Sequence, residues 1–416
     1  MTTRLLEKTA TTNPSRLKAL QGSLDRALRS DGYRRKLAID SAEEIAGIDD
    51  FRRLPFLTKD DLRRHSPFGL CCADEREIVR VHSTSGTTGD PVVIPYTAGD
   101  VETFTTLMAR ALTLAGMTDG DRAMVTPGYG LWTAGIGFQA GVERIGACAI
   151  PTGPIAMEMQ MAFLRKMAPT FLIGTASMAL LLGETIAREG IRPCLKGAVL
   201  GAEQWGEGRR AVIEDLLGAR TYDIYGMTET YGPGIAIECP HQQGLHYWDD
   251  LFHFEVIDPV TGDVLPEGET GELVITTLVK EGLPLIRYRT RDLASILPGP
   301  CPCGSPYPRI SRIAGRSDDM ITYRGVNLFP SAIEALIAET DGLGSEFRIV
   351  LTTEGGKDCL DIEVERSCDG GDGPARELAR KMKMTLSALP RVTLLPPQGL
   401  GREMKKTRRV YDHRTK

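Results

Sequence analysis

Between residues 123 and 224, short apolar runs alternate with helical patterns, and no other feature restricts the fold as tightly. The runs fall at 123–126, 170–173, 198–200 and 220–224, with amphipathic patterns after Met157, around 178–186 and near 209–217. Parallel strands can be joined only by long crossovers, usually helices, so this rhythm predicts an α/β fold: a parallel sheet covered by helices on both faces. Upstream, Leu20, Leu24 and Leu28 recur at helical spacing within 17–37 and predict one amphipathic helix there. At Leu54-Pro-Phe-Leu-Thr58 a turn leads into a helix, with Thr58 as N-cap and Asp61 completing a capping box.

Beyond Pro240 the texture changes. Residues 252–257, 271–277 and 292–297 alternate like antiparallel strands and are separated by Asp258-Pro-Val-Thr-Gly262 and Pro298-Gly-Pro300 turns, predicting a β-rich subdomain. From Gly325 a helix (330–340), two strands (347–352 and 359–366), a helix (374–388) and a strand (391–395) predict a compact α+β unit. The expected boundary lies at Asp318 and Asp319, dividing a large domain (1–317) from a small one (318–416).

Composition sets the outer limits. The charge balance, 50 basic against 55 acidic residues, offers no excess of positive charge to hold a polyanion, which argues against nucleic acid as partner. No apolar stretch approaches the ~20 residues of a bilayer span, so neither membrane insertion nor secretion is expected and the reading is cytoplasmic. Nine cysteines over 416 residues are too sparse for a disulfide scaffold and read as thiols or metal ligands.

Three segments carry chemistry. In Ser83-Thr84-Ser85-Gly86-Thr87-Thr88-Gly89-Asp90-Pro91 small hydroxyl residues interleave with glycines, so backbone N–H groups and hydroxyls can face a phosphate chain. It lacks the Gly-Lys-Ser/Thr ending of a Walker loop, and by itself reads equally as a solvated loop. In Tyr222-Asp-Ile-Tyr225-Gly226-Met-Thr228-Glu229 a strand runs into an expected tight turn at Gly226, presenting Thr228 and Glu229 at the sheet edge where open α/β folds place ligands. A carboxylate there suits Mg²⁺, although a plain surface glutamate is the commoner case. In Ile286-Arg-Tyr-Arg-Thr-Arg-Asp292 the aspartate could accept ribose hydroxyls while an arginine screens phosphate, a salt-bridged strand being the alternative.

Taken in order, Ser85-Gly-Thr-Thr-Gly89, Gly201-Ala202-Glu203, the Tyr222–Glu229 segment, Arg287–Asp292 and Gly315-Arg316-Ser-Asp-Asp-Met320 with Arg324-Gly-Val-Asn327 resemble the core motifs of adenylate-forming enzymes. Leu54-Pro-Phe56, Pro67-Phe-Gly69, Gly128-Tyr-Gly-Leu131, the 231–239 segment and the 409–414 ending resemble the phenylacetate-CoA ligase branch. The resemblance implies a large ATP- and acid-binding domain, a mobile C-terminal lid hinged at Asp318 and Asp319, and activation of an aromatic acid as acyl-AMP before transfer to coenzyme A. It implies that Thr84, Ser85, Gly86, Thr87, Thr88 and Gly89 hold phosphates and that Glu229 with Thr228 places Mg²⁺. It also implies that Asp292 grips ribose, that Asp223 and Tyr225 contact adenine, and that Gly201, Ala202, Glu203, Gly226 and Arg316 complete the nucleotide site. Two departures stand out. Asp90 and Val92, not lysine, flank Pro91, and the tail reads Met404-Lys-Lys-Thr-Arg-Arg-Val410, which aligns the catalytic lysine with Lys406 and leaves Lys405 as alternative.

Cys239, His246, Cys301 and Cys303 could close a tetrahedral zinc site, although the Cys-Pro-Cys spacer is one residue shorter than usual and a Pro-rich turn with reduced thiols is the alternative. Tyr129, Trp132 and Gly135 could line an aromatic pocket or simply pack the core. The branch resemblance favours the pocket for Tyr129 and Trp132, and its 231–239 motif adds Tyr231 and Gly232. Two other functions remain open at this level: an adenylating enzyme serving a carrier protein, and a catalytically degenerate ATP-binding protein. The identity of the acid and any homodimer are also left open.

Overall fold

The structure is a computed structural model that describes residues 16–84, 90–367, 371–401 and 409–414. Ser85, Gly86, Thr87, Thr88, Gly89, Lys405 and Lys406 therefore lie outside the described residues. The chain packs into two compact units, one of residues 1–173, 194–202 and 222–313, the other of 174–193, 203–221 and 314–416.

A nine-stranded sheet organises the first unit. Its strand order is Ile296–Leu297, Arg309–Ile310, Leu245–Tyr247, Gly232–Glu238, Arg220–Met227, Gly197–Gly201, Phe171–Gly174, Arg122–Val125 and Cys148–Ile150. The pairs of Arg122–Val125 with both neighbours are parallel, as the strand–helix rhythm requires. From Gly232–Glu238 onward the pairing is antiparallel, so the sheet is mixed. Helices Ala98–Leu114 and Thr133–Ile145 pack closely together, because Gly137 and Gly141 leave no Cβ to strike Phe104 and Met108.

Three details differ from the sequence expectation. The expected 17–37 helix is two, Arg16–Ala27 and Asp31–Leu37, because the Ser30 side chain accepts from Gly32 N–H and caps a new start. No tight turn forms at Gly226; the strand continues to Met227. A Cβ at Gly226 would stand 1.9 Å from the Gly232 carbonyl oxygen, so the glycine permits close approach of two strands. The expected strand 292–297 is split: Tyr288–Ala294 pairs with Gly271–Thr277, whereas Ile296–Leu297 joins the nine-stranded sheet. Phe252–Ile257 completes the antiparallel β-rich part.

In the second unit, strands Arg391–Leu395, Lys357–Arg366, Leu343–Glu354 and Val410–Asp412 form a sheet whose middle pair is antiparallel and whose outer pairs are parallel. Phe347, Ile349 and Leu351 alternate with the half-buried Arg348, Val350 and Thr352 and meet Leu360, Ile362 and Val364 in a core with Leu378 and Met382 of helix Gly373–Leu386. Helices Ala176–Glu189 and Glu207–Leu217 belong to this unit as well.

Candidate active site

The C-terminal end of strand Arg220–Met227 carries Thr228 and Glu229 into a hairpin whose return strand is Gly232–Glu238. Glu229 is buried. Its Oε1 lies 3.1 Å from the Lys59 ammonium and accepts from the Tyr288 hydroxyl at 3.4 Å. Lys59 reaches it because Leu57 bonds to the backbone of the Tyr288 strand on both sides, Leu57 N to Arg287 O and Arg289 N to Leu57 O, which brings the Thr58-capped helix alongside. Neither Lys59 nor Tyr288 is a candidate on sequence grounds. The only signals were the capping box and the tyrosine between two arginines.

Tyr225 donates its hydroxyl to Asp292 Oδ2 at 2.7 Å, so the two residues expected at adenine and ribose already touch. Asp223 pairs with Arg312 at 2.9 Å, and its N–H donates to Glu238. The arginines before Asp292 are occupied by glutamates: Arg287 by Glu255 and Arg289 by Glu272, with Arg291 3.6 Å from Glu272. Arg287 and Arg289 are thus held in salt bridges along the strand, whereas Arg291 is 42% exposed at the side chain and shares Glu272 with Arg289. Gly201 ends the neighbouring strand and Ala202 follows it; a Cβ on Gly201 would meet the Ile224 carbonyl oxygen at 2.6 Å. Thr84 N–H donates to Val92 O and Thr84 Oγ1 accepts from Val92 N–H, tying together the two ends that flank residues 85–89.

Leu131 stands beside the end of strand Ile78–Ser83, since Leu131 O accepts from Ser83 N–H at 2.9 Å. Trp132 is half exposed at the N-cap of helix Thr133–Ile145. Tyr129 is half-buried; burial pushes its phenol up to about 12, and its hydroxyl has no partner among the described residues. The space beside Gly135 is filled by the Gly128 carbonyl and the Tyr129 ring, and Gly232, at positive φ, abuts Thr133. Tyr231 is wholly buried, with its hydroxyl on Asp100 and its ring against the Lys280 ammonium.

In the second unit, Glu203 accepts from the Ser177 hydroxyl at 2.7 Å. Arg316 holds Asp318 through two bonds of 2.8 and 3.0 Å and lies 4.0 Å from Asp319.

Cys239, His246, Cys301 and Cys303 converge, their ligand atoms all within 4.8 Å of one another. Cys239 and Cys301 sulfurs are 3.6 Å apart, and Cys303 Sγ is 3.3 Å from His246 Nε2. A disulfide needs about 2.0 Å, whereas ligands on a tetrahedral zinc with Zn–S of about 2.3 Å stand ~3.8 Å apart. The donor set fits that ion. His246 Nδ1 bonds to the Tyr307 carbonyl, which directs Nε2 to the quartet, and burial lowers the imidazole pKa and keeps it neutral.

The family description "AMP-binding enzyme" matches residues 20–278, and "AMP-binding enzyme C-terminal domain" matches 325–414. The phenylacetate-coenzyme A ligase of Pseudomonas putida is 40% identical over 395 residues, covering 92% of this chain and 89% of that protein. A 2-hydroxyisobutyryl-CoA ligase, solved in a postadenylation state with R3-HIB-AMP, is 30% identical and superimposes with a TM-score of 0.88 over 98% of this chain and 90% of its own. The same ligase with 2-HIB-AMP and CoA in a thioesterification state, 31% identical, gives 0.70 over 98% and 91%. With a sheet-edge Glu229, a Tyr225–Asp292 pair and likeness along nearly its whole length, the chain belongs to the AMP-binding enzymes, in the phenylacetate-CoA ligase branch.

Proposed function

We propose that this enzyme is an AMP-forming acid–thiol ligase that activates an aromatic carboxylic acid with ATP and passes the acyl group to coenzyme A. The carboxylate oxygen attacks the α-phosphorus, the bond to pyrophosphate breaks, and acyl-AMP forms. The thiol sulfur then attacks the acyl carbon and AMP leaves. The observation that carries this reading is Glu229 at the strand end, facing a lysine ammonium 3.1 Å away and flanked by the bonded Tyr225–Asp292 pair.

Asp292 would accept the ribose hydroxyls, with Tyr225 orienting its carboxylate; Asp223 and Tyr225 would border adenine, alongside Gly201, Ala202, Glu203 and Gly226. Glu229 and Thr228 would hold Mg²⁺, whose charge offsets that of the phosphates when bound. Lys59 would then contact phosphate oxygens and make good the cation missing around Pro91. Residues 84–89 would receive the β and γ phosphates, and Arg316 would lie near ribose and phosphate. Tyr129 and Trp132, supported by Gly135, Tyr231 and Gly232, would bound the acid pocket. Lys406, or Lys405, would neutralise charge between carboxylate and α-phosphate; positioning and electrostatics carry such a transfer. The boundary at 317/318, with Asp318 and Asp319 as hinge, belongs to the same reading, as do a zinc quartet with a structural role and a cytosolic setting, where thiols stay reduced.

The test is pyrophosphate release with ATP and a panel of aryl acids, followed by detection of acyl-CoA with free coenzyme A. Pyrophosphate without thioester would point to a carrier protein, and neither product would point to a degenerate enzyme. Lys406→Ala should reduce pyrophosphate release by orders of magnitude while sparing thioester formation from supplied acyl-AMP, since the lysine serves only the first transition state. Loss with Lys405→Ala alone would move the role by one residue.

A further inference from the structure

Arg209 is among the most deeply buried charged side chains, with 1% of its side chain exposed. It projects from helix Glu207–Leu217, and its Nη2 donates to Ser177 Oγ at 3.0 Å and stands 3.3 Å from Glu346 Oε1. Its Nε and Nη1 have no hydrogen-bond partner among the described residues. Glu346, with 5% of its side chain exposed, lies in strand Leu343–Glu354 and also accepts both Arg409 terminal nitrogens, at 3.1 and 3.2 Å. Arg409 immediately precedes strand Val410–Asp412, and its carbonyl receives the Ile349 N–H. On the other side, the Ser177 hydroxyl donates to Glu203, and Glu334 receives the Gly206 N–H at 2.9 Å. An unbroken chain of polar contacts therefore runs Glu203, Ser177, Arg209, Glu346, Arg409, from the Gly201-Ala-Glu motif to the C-terminal sheet. All five residues lie within one compact unit.

A buried ion pair with unsatisfied guanidinium nitrogens is a poor way to gain stability, because desolvation offsets most of the attraction. An arrangement of this kind selects one geometry over others. Apolar side chains of similar volume could fill the space, but they would not distinguish the docked position of strand Leu343–Glu354 from a shifted one.

We infer that Arg209 and Glu346 are positioning residues which fasten the C-terminal sheet to helices Ala176–Glu189 and Glu207–Leu217 for the adenylation step, and which separate when the thiol is admitted. This rests on the two-step reaction proposed above. The pair holds Glu203 and Arg409 in register from its two ends, so its loss acts on the half-reaction that needs both.

Arg209→Met, Glu346→Gln and the double variant Arg209→Met/Glu346→Met are compared in three assays: pyrophosphate release with ATP and acid, thioester formation from supplied acyl-AMP and coenzyme A, and thermal melting. Each single variant should lose about tenfold or more in pyrophosphate release while thioester formation stays within about threefold. The double variant should be no worse than either single one, as for groups acting together. Parallel loss in both half-reactions, no loss in either, or additive losses would overturn the inference. Amide hydrogen exchange on the substrate-free protein keeps it testable should the wild type activate no acid, an outcome that would reject the proposed reaction separately. Arg209→Met should then speed exchange in 207–217 and 343–349 but not in 252–277, and unchanged exchange would overturn the pairing.

Discussion

Lys59 and Lys280 are both lysines beside a carboxylate, and their surroundings set them to different work. Lys59 is 39% exposed at the side chain and touches Glu229, so it can exchange partners when phosphate arrives. Lys59→Met should slow pyrophosphate release by roughly ten- to a hundredfold and leave thioester formation from acyl-AMP nearly intact, because pyrophosphate has already gone; stopped assays of the two half-reactions would show it. Lys280 is wholly buried, its ammonium 3.9 Å from the Tyr96 ring centre and 4.1 Å from that of Tyr231, with no hydrogen-bond partner among the described residues. Burial lowers its pKa to about 8, with Asp100 opposing the shift. The folded pKa is below the unfolded one, so between about 8 and the ordinary lysine value the unfolded chain binds more protons. Stability therefore rises with pH across that window, and the cost of burying the charge is fully present below it. Urea melts at pH 7 and pH 9.5 should show wild type gaining on Lys280→Met at the higher pH, whereas a constant difference would mean that the ammonium stays charged throughout.

Among elements, the hairpin that joins Arg220–Met227 to Gly232–Glu238 illustrates how a motif can be visible in sequence while its physical reason is not. The expected turn at Gly226 is a strand position, and the glycine is needed because a Cβ there would strike the Gly232 carbonyl oxygen, a contact that only the paired strand reveals. The metal quartet has the same character. Its four residues come from the end of one strand, from Leu245–Tyr247 and from the Cys301-Pro-Cys303 turn; the short spacer gives no sign that they meet, whereas the fold brings their four ligand atoms within 4.8 Å of one another. If the quartet binds zinc, metal analysis should return about one zinc per chain. Cys301→Ser should lower both zinc content and melting temperature, since a structural ion contributes to folding directly. Unchanged melting in a metal-free preparation would refute this.

For the molecule as a whole, the proposed two-step reaction needs the C-terminal part to reorient about Asp318 and Asp319. Proline at either position fixes φ, so one of Asp318→Pro and Asp319→Pro should lose one half-reaction far more than the other, as separate assays of adenylation and thioester formation would read; equal loss would place the hinge elsewhere. The alternating strands and helices of 123–224, the antiparallel strands after Pro240 and the C-terminal α+β pattern could be read directly from sequence, because periodicity reports which face of each element meets a core. The nucleotide motifs were legible for a related reason: glycines and carboxylates at sheet edges form short contiguous strings. What lay beyond reach were contacts between residues distant in the chain, such as Lys59 with Glu229, Tyr225 with Asp292 and Arg209 with Glu346. The sequence by itself determined the class of fold and the order of its motifs, since both depend on local pattern. Only the tertiary structure decided which charges are paired, as with Arg287 and Arg289 held by glutamates, because pairing depends on which strands become neighbours and on the desolvation that burial there imposes.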